Sequence, residues 1–362
     1  MHFSSILSVL MKRPMNSKAG VVTGLAALAA LATVSPALPG PARSAAEPER
    51  VRGVVISTHT SGREWGWDEI GSTLDDIREV GAGWIATHPY ARIGADGSIR
   101  FHEFDANDPP AYLVRPIREA HARGLKIAIH PHLAYWGSPF SWRGEIAFET
   151  DLEWTRFFED YERWIVKVAA ACREADGYVI GNELDLTLGH EAEWRRIIRR
   201  VRAVTPAALS YAANWPEYQR VPFWDALDAI GIQAYFPLSE LPAPSDSVLE
   251  AAWHVRLAEL RAFATAHNRK VVFTELGYNR SFQAAQFPWD DRSDGPEAEP
   301  FQELCLRTAL RCIENEPAIA GVFLWKWFPN PHPVGRNFQL ATPRLKRAIA
   351  DSWRAARPRS GK

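Results

Sequence analysis

Cysteine is scarce in this chain, and the little there is cannot cross-link it. Only Cys172, Cys305 and Cys312 occur among 362 residues. Cys305 and Cys312 fall on one expected helix about 10 Å apart along its axis, which is beyond disulfide reach. Cys172 belongs to another helix, and none of the spacings is of a metal-binding type. A disulfide framework and a cysteine-based metal site are both excluded. A charge excess is missing too, since 42 Lys and Arg oppose 43 Asp and Glu for a net of −1. Lys12, Arg13, Lys18 and Arg43 lie in the first 46 residues, which hold no acidic group; the remainder carries 38 basic against 43 acidic residues, a net of −5. That balance gives no electrostatic reason to expect nucleic acid as a partner. After the leader there is no internal linker, short repeat or low-complexity tract, so a single domain is expected over residues 47–362.

What is present begins with a targeting segment. Lys12, Arg13 and Lys18 precede an apolar run from Ala19 to Val34, followed by Pro36, Pro39 and Pro41 and the small residues Ser44, Ala45 and Ala46. This is the pattern of a secretory signal, residues 1–46, cleaved near Ala46 and translated from Met1 or Met11. The run is Ala-rich and at the lower limit of a bilayer span, so cleavage is favoured over a retained anchor. No cysteine sits near the cleavage point, which argues against a lipid anchor. The mature protein is expected to be a secreted or periplasmic monomer with no stable membrane insertion.

The body reads as alternating strands and helices. Strands are expected at Val51–Ser57, Gly83–His88, Lys126–His130, Gly177–Glu183, Leu209–Ala213, Leu227–Ala234, Lys270–Glu275 and Gly321–Trp325. Helices are expected at Asp68–Val80, Ala111–Arg123, Glu191–Val204, Ser247–His267, Pro300–Asn315 and Pro343–Ala356. The clearest helix carries Trp154, Phe157, Phe158, Tyr161, Trp164, Ile165, Val168 and Cys172 on one face. That stripe reads as core, not as a cofactor site. Eight strands alternating with helices imply a single (β/α)₈ TIM barrel, an α/β fold. Its interior is expected to be filled by Val, Ile and Ala, with the site at the carboxyl ends of the strands. The irregular stretch Gln286–Pro300 follows the seventh strand and should overhang that end.

Two strands end abruptly in a carboxylate: Val179-Ile180-Gly181-Asn182-Glu183 and Val272-Phe273-Thr274-Glu275. A pair of carboxyl groups is the minimum equipment for cleaving a glycosidic bond, one protonating the leaving oxygen while the other attacks. The acid must be protonated while the nucleophile is ionised, and proximity helps because charge on one raises the pKa of the other. A lone strand-end Glu could equally cap a helix or pair with Arg; two at matching ends favour chemistry. Fifteen Trp are compatible with sugar stacking, although Trp also fills cores.

The ordered set of strand-end motifs resembles glycoside hydrolase family 113, a β-mannanase group among the retaining (β/α)₈ glycosidases. The motifs are Gly181-Asn182-Glu183-Leu184, SYAANW from Ser210, IGIQAYFPL from Ile230, FTELGY from Phe273, FLWKW from Phe323 and SWRGEI from Ser141. The resemblance runs from about residue 51 to residue 345. It implies Glu183 as general acid/base, Glu275 as nucleophile, and Asn182 as a partner of the sugar 2-hydroxyl. It further implies Tyr235 as the phenol that orients the nucleophile and Trp325 as the platform under the sugar. One departure stands out: many members of the clan carry Arg at the end of the second strand, where this chain has Thr87-His88-Pro89-Tyr90.

Weaker candidates for sugar contact are His130, His132, Asn214, Trp215, Trp142, Lys326, Trp327 and Trp289. The expected function is a retaining endo-β-1,4-mannanase without cofactor or metal, acting on a polysaccharide or oligosaccharide. A β-mannosidase or β-glucanase of the same clan remains open. A metal-dependent hydrolase would use His130 and His132 but needs further ligands, and a non-catalytic glycan-binding barrel would not need both carboxylates.

Overall fold

The computed structural model describes residues 50–58, 61–329 and 338–355. The expected signal segment lies outside these. Eight parallel strands close into a barrel: β1 Val51–Ile56, β2 Trp84–Thr87, β3 Lys126–Ile129, β4 Gly177–Asn182, β5 Ala208–Asn214, β6 Ile230–Gln233, β7 Val271–Leu276 and β8 Ile319–Trp327. Their order around the ring is the order in sequence, and β8 returns to β1 with Val51 opposite Gly321 and Val54 opposite Leu324.

The helices are α1 Ile70–Glu79, α2 Ala111–Ala122, α3 Asp151–Ala171, α4 Glu191–Arg202, α5 Asp246–His267, α6 Glu299–Glu314 and α7 Pro343–Ala355. Some of their ends carry clear local signals. Thr150 caps α3 and forms a reciprocal capping box with Glu153. Gly124, at φ 70°, lets the chain leave α2. No α-helix is present between β5 and β6 among the described residues. Single 3₁₀ turns at Tyr218–Arg220 and Trp224–Ala226 fill that gap, and β6, Ile230–Gln233, falls within the expected stretch Leu227–Ala234. The aromatic stripe of α3 is core: Phe157, Phe158, Tyr161, Trp164 and Ile165 are buried, and the Tyr161 hydroxyl donates to the Ile180 carbonyl at 3.0 Å. The three cysteines are free and buried.

The barrel interior keeps the expected Val and Ala but not the Ile, and adds a large ring. The isoleucines of the strands belong to the large core shared with the helices, whereas a separate inner cluster gathers Val55, Ala86, Ala128 and Phe323 with Trp84, Val272 and Trp325 around it. Phe323 fills the bore: a Cβ added at Gly53 would collide with its ring, and Trp84 meets it edge-on at 6.1 Å. Small residues at Gly53, Ala86, Ala128 and Gly177 make room for the large rings, so the packing alternates large with small.

A second small sheet lies beyond the barrel. Pro89 and Pro131 follow His88 and His130 at the ends of β2 and β3, and the chains run on as a parallel pair, Tyr90 opposite His132. Tyr90–Ile93 then folds back on Ile99–Arg100 in antiparallel register. These strands are not among those expected from the sequence, because they are too short for periodicity to show.

Gly321 lies at φ 152°, and an added Cβ there would press on the Val51 carbonyl oxygen, a backbone atom that cannot swing away. Gly321→Ala should therefore cost more than about 3 kcal/mol. Gly83→Ala, where an added Cβ meets nothing within 4 Å, is the control. Equal urea midpoints for the two variants would contradict this account of barrel closure.

Candidate active site

The carboxyl ends of the strands surround a cleft of ≈ 890 Å³. Glu183 follows β4 at φ 51°, a left-handed turn held by its amide donating to the Ala212 carbonyl at 2.8 Å. The left-handed backbone takes the side chain out of the strand's alternation and into the cleft. Glu275 stays within β7 and is 5% exposed. Both carboxylates line the cleft, as do Tyr235, Trp325, Asn214, Trp215, Trp142 and Lys326.

The two carboxylates have different surroundings. The Tyr235 hydroxyl donates to Glu275 Oε2 at 2.7 Å, and His132 Nε2 lies 3.5 Å from Glu275 Oε1. Glu183 is pushed up to about 7, first by burial, with nearby negative charge on Glu275 and Asp185 adding to the rise and the Arg143 guanidinium opposing it. Burial likewise raises Asp185 to about 6, against a hydrogen bond from Asn214 at 3.4 Å. Asn182 is buried beside Glu183. Its Oδ1 accepts from Gln233 Nε2 at 2.7 Å, whose own Oε1 accepts from Thr274 at 3.0 Å. This relay fixes the amide and leaves Asn182 Nδ2 without a protein partner.

Three buried imidazoles form a layer under and beside the pair. His88 stacks on His132 at 4.8 Å and packs near Trp325, Trp65 and Tyr90. Burial holds His88 and His132 well below the usual histidine range and His130 at about 4, so all three are neutral near pH 7. His88 thus occupies the second-strand end where the sequence departs from the Arg pattern. His130, expected at a sugar subsite, is not among the lining residues. It is 3% exposed and meets the Phe323 ring edge-on at 5.0 Å. The reason is register: residues 128, 130 and 132 share the inward face, and His130 lies one layer deeper than His132. His132 lines the cleft instead. Among the described residues, no third ligating side chain joins His130 and His132.

Trp325 stacks near His132, with centroids 6.1 Å apart, and Lys326 Nζ sits 4.7 Å from the indole centroid; the peptide between Trp325 and Lys326 is cis. Trp289 of the long loop reaches the cleft and stacks on Trp215 at 6.1 Å while remaining 49% exposed. The loop is anchored by Asn279, whose side chain donates to the Asp290 carbonyl at 2.7 Å. Trp327 is buried outside the cleft. Sequence reading missed Arg143, Tyr90, Tyr135 and Trp136 as lining residues. The signal that could have found Arg143 is its place beside Trp142 in the SWRGEI stretch.

Residues 57–336 match the profile of Glycoside Hydrolase Family 113. The chain belongs to this family. The solved family 113 β-mannanase of Alicyclobacillus acidocaldarius, a complex with ManMIm, superposes with a TM-score of 0.74 at 25% identity, over 87% of this chain and 100% of that one. A second structure, described as a family 113 β-1,4-mannanase, gives the same TM-score at 17% identity over 85% and 100% of the two chains. The family 5 mannosidase of Rhizomucor miehei, in complex with mannosyl-fructose, shares the fold at a TM-score of 0.57 and 11% identity, over 85% and 93% of the two chains. No curated protein sequence matches the chain. The family 113 chain is therefore a glycoside hydrolase built on a closed (β/α)₈ barrel.

The raised Glu183 carboxyl gives this family 113 hydrolase a pH-dependent strain. Its folded value of about 7 exceeds the ordinary 4.5, so ionising it costs the folded state nothing below 4.5 and progressively more up to about 7. Glu183→Gln should therefore raise stability at pH 8 by on the order of 1–3 kcal/mol and leave it unchanged at pH 4. Denaturant melts at the two pH values check this; an equal effect at both would contradict it.

Proposed function

We propose that this family 113 hydrolase is a retaining endo-β-1,4-mannanase, acting outside the cytoplasm after removal of residues 1–46. The observation that carries the mechanism is the unequal environment of two carboxyl groups lining one cleft. Glu183, pushed up to about 7, is suited to hold a proton at neutral pH and give it to the departing sugar oxygen. Glu275, steadied by the Tyr235 hydroxyl, is suited to attack the anomeric carbon and form a glycosyl-enzyme. Water, deprotonated by the same Glu183, then attacks that carbon, the bond to Glu275 breaks, and the anomeric configuration is retained. The substrate class rests on family membership and on the β-mannanases that share this fold. The cleft is open and flanked by Trp142, Trp215, Trp289 and Trp325, which suits several sugar units of a chain in place of a single terminal one.

The purified protein should cleave β-mannan and leave cello-oligosaccharides largely untouched, with the β-anomer formed first in an NMR time course. Glu183→Gln and Glu275→Gln should each lower turnover by at least about 10³-fold. Activity that survives both changes would sink the mechanism, and preferential cleavage of cello-oligosaccharides would replace mannan with glucan.

A basic limb in kcat/KM is expected near pH 7 as Glu183 ionises. Removing the positive charge of Arg143, which lowers that value, should move the limb upward in Arg143→Gln. A limb that stays fixed or moves down would show that another group sets it.

A further inference from the structure

Beside the cleft is a second, smaller cavity of ≈ 290 Å³, and Tyr90 lines both. Its floor is apolar, built from Phe101, Phe104, Tyr112 and Trp164, and its charged rim is Arg63, Arg92 and Arg100. No Asp or Glu lines it, although the chain after residue 46 carries more acid than base. Arg92 and Arg100 face each other across the antiparallel pair of the small sheet. Like charges directly opposite one another on a sheet repel, and neither guanidinium has an ion-pair or hydrogen-bond partner among the described residues. The nearby acids are already engaged: Asp96 with Arg156 at 2.8 Å, Asp160 with Arg163 at 3.2 Å, and Glu103 with Lys167. The small sheet thus holds two cations together beside aromatic walls, and the acid of its own turn, Asp96, which lies near Arg100, is bonded to Arg156.

We infer that this cavity receives the carboxylate of a uronic acid unit carried by the glycan bound in the cleft. A pyranose ring suits the aromatic floor, and a planar carboxylate suits the forked donors of Arg92 and Arg100. The volume is at the lower end for small-ligand sites and fits one sugar unit. Tyr90, packed edge-on against His88 and near Trp136, is the wall between this unit and the sugars over the catalytic pair. The inference rests on the glycan-cleaving reading for its link to the cleft, but the anion pocket itself does not.

The test uses two probes. D-glucuronate and neutral D-glucose are titrated by NMR into the full protein and into the double variant Arg92→Gln, Arg100→Gln. Glucuronate should bind at least tenfold more tightly than glucose, and the variant should lose that preference with an unchanged melting temperature. No preference in the parent, or the same preference in the variant, overturns the inference. Inorganic phosphate that displaces glucuronate at equal concentration overturns the sugar assignment. In the Glu275→Gln background, a mannotriose bearing one glucuronate branch should bind at least tenfold more tightly than plain mannotriose, again only with both arginines. Equal binding of the two overturns the link to the cleft. Cleavage of neutral mannan is read in parallel and should be the same for the parent and the arginine variant. Loss of mannan cleavage in both, with the arginine-dependent preference intact, would count against the mannanase reading alone.

Discussion

Filling the bore of an eight-stranded ring is the constraint on which the rest of this structure depends. A ring of parallel strands has no interior unless side chains occupy it, and here one ring, Phe323, does most of the filling opposite Gly53. The exchange of large for small residues has a consequence at the next level. Above Phe323 the inward positions are polar: His130, His132, Gln233 and Thr274 are all buried. The plug therefore acts as a dry base on which a polar layer stands, and that layer in turn carries Glu183 and Glu275.

Dryness decides the electrostatics. Buried imidazoles with aromatic neighbours stay neutral, so His88 and His132 supply shape and hydrogen-bonding capacity beside Glu275 without a fixed positive charge. Neutral histidine at the second-strand end is a different arrangement from the Arg seen at that place in many related barrels. The positive charge in this cleft comes from Arg143, in the connection between β3 and α3, and from Lys326, near the end of β8. Glu275 keeps the Tyr235 hydroxyl and His132 as close neighbours, while Glu183, on a left-handed turn, is raised mainly by burial. Two identical side chains acquire different proton affinities because the strands deliver them to different microenvironments.

The ring tolerates wide sequence change. At 25% identity to a β-mannanase, the shared fold covers 87% of this chain, so most of the sequence difference is absorbed without loss of the ring. The small sheet beyond β2 and β3 is built on that ring. Proline after each histidine removes a ladder donor at the barrel's edge, and the two chains re-pair beyond it as Tyr90 opposite His132. That pairing contributes one wall of the cleft and one side of the arginine-rimmed cavity.

Periodicity and punctuation in the sequence determined the ring. Eight apolar runs, the α3 stripe and Gly124 as a helix stop are local signals, because burial on a strand or helix face is written at spacings of two or of three and four. The strand-end position of Glu183 and Glu275 was legible for the same reason, as was the neighbourhood of Tyr235, Trp325, Asn214 and Trp215. Tertiary structure alone decided which inward residue fills the bore, since Phe323 and the isoleucines look equally apolar in a string. It alone put His132 at the cleft and His130 beneath it, two residues apart on one face but in different layers. It alone brought Arg143, from the stretch between β3 and α3, near Glu183, and set Arg92 against Arg100. Contacts between residues distant in the chain leave no mark at short spacing, so the chemistry of single groups waits on the fold.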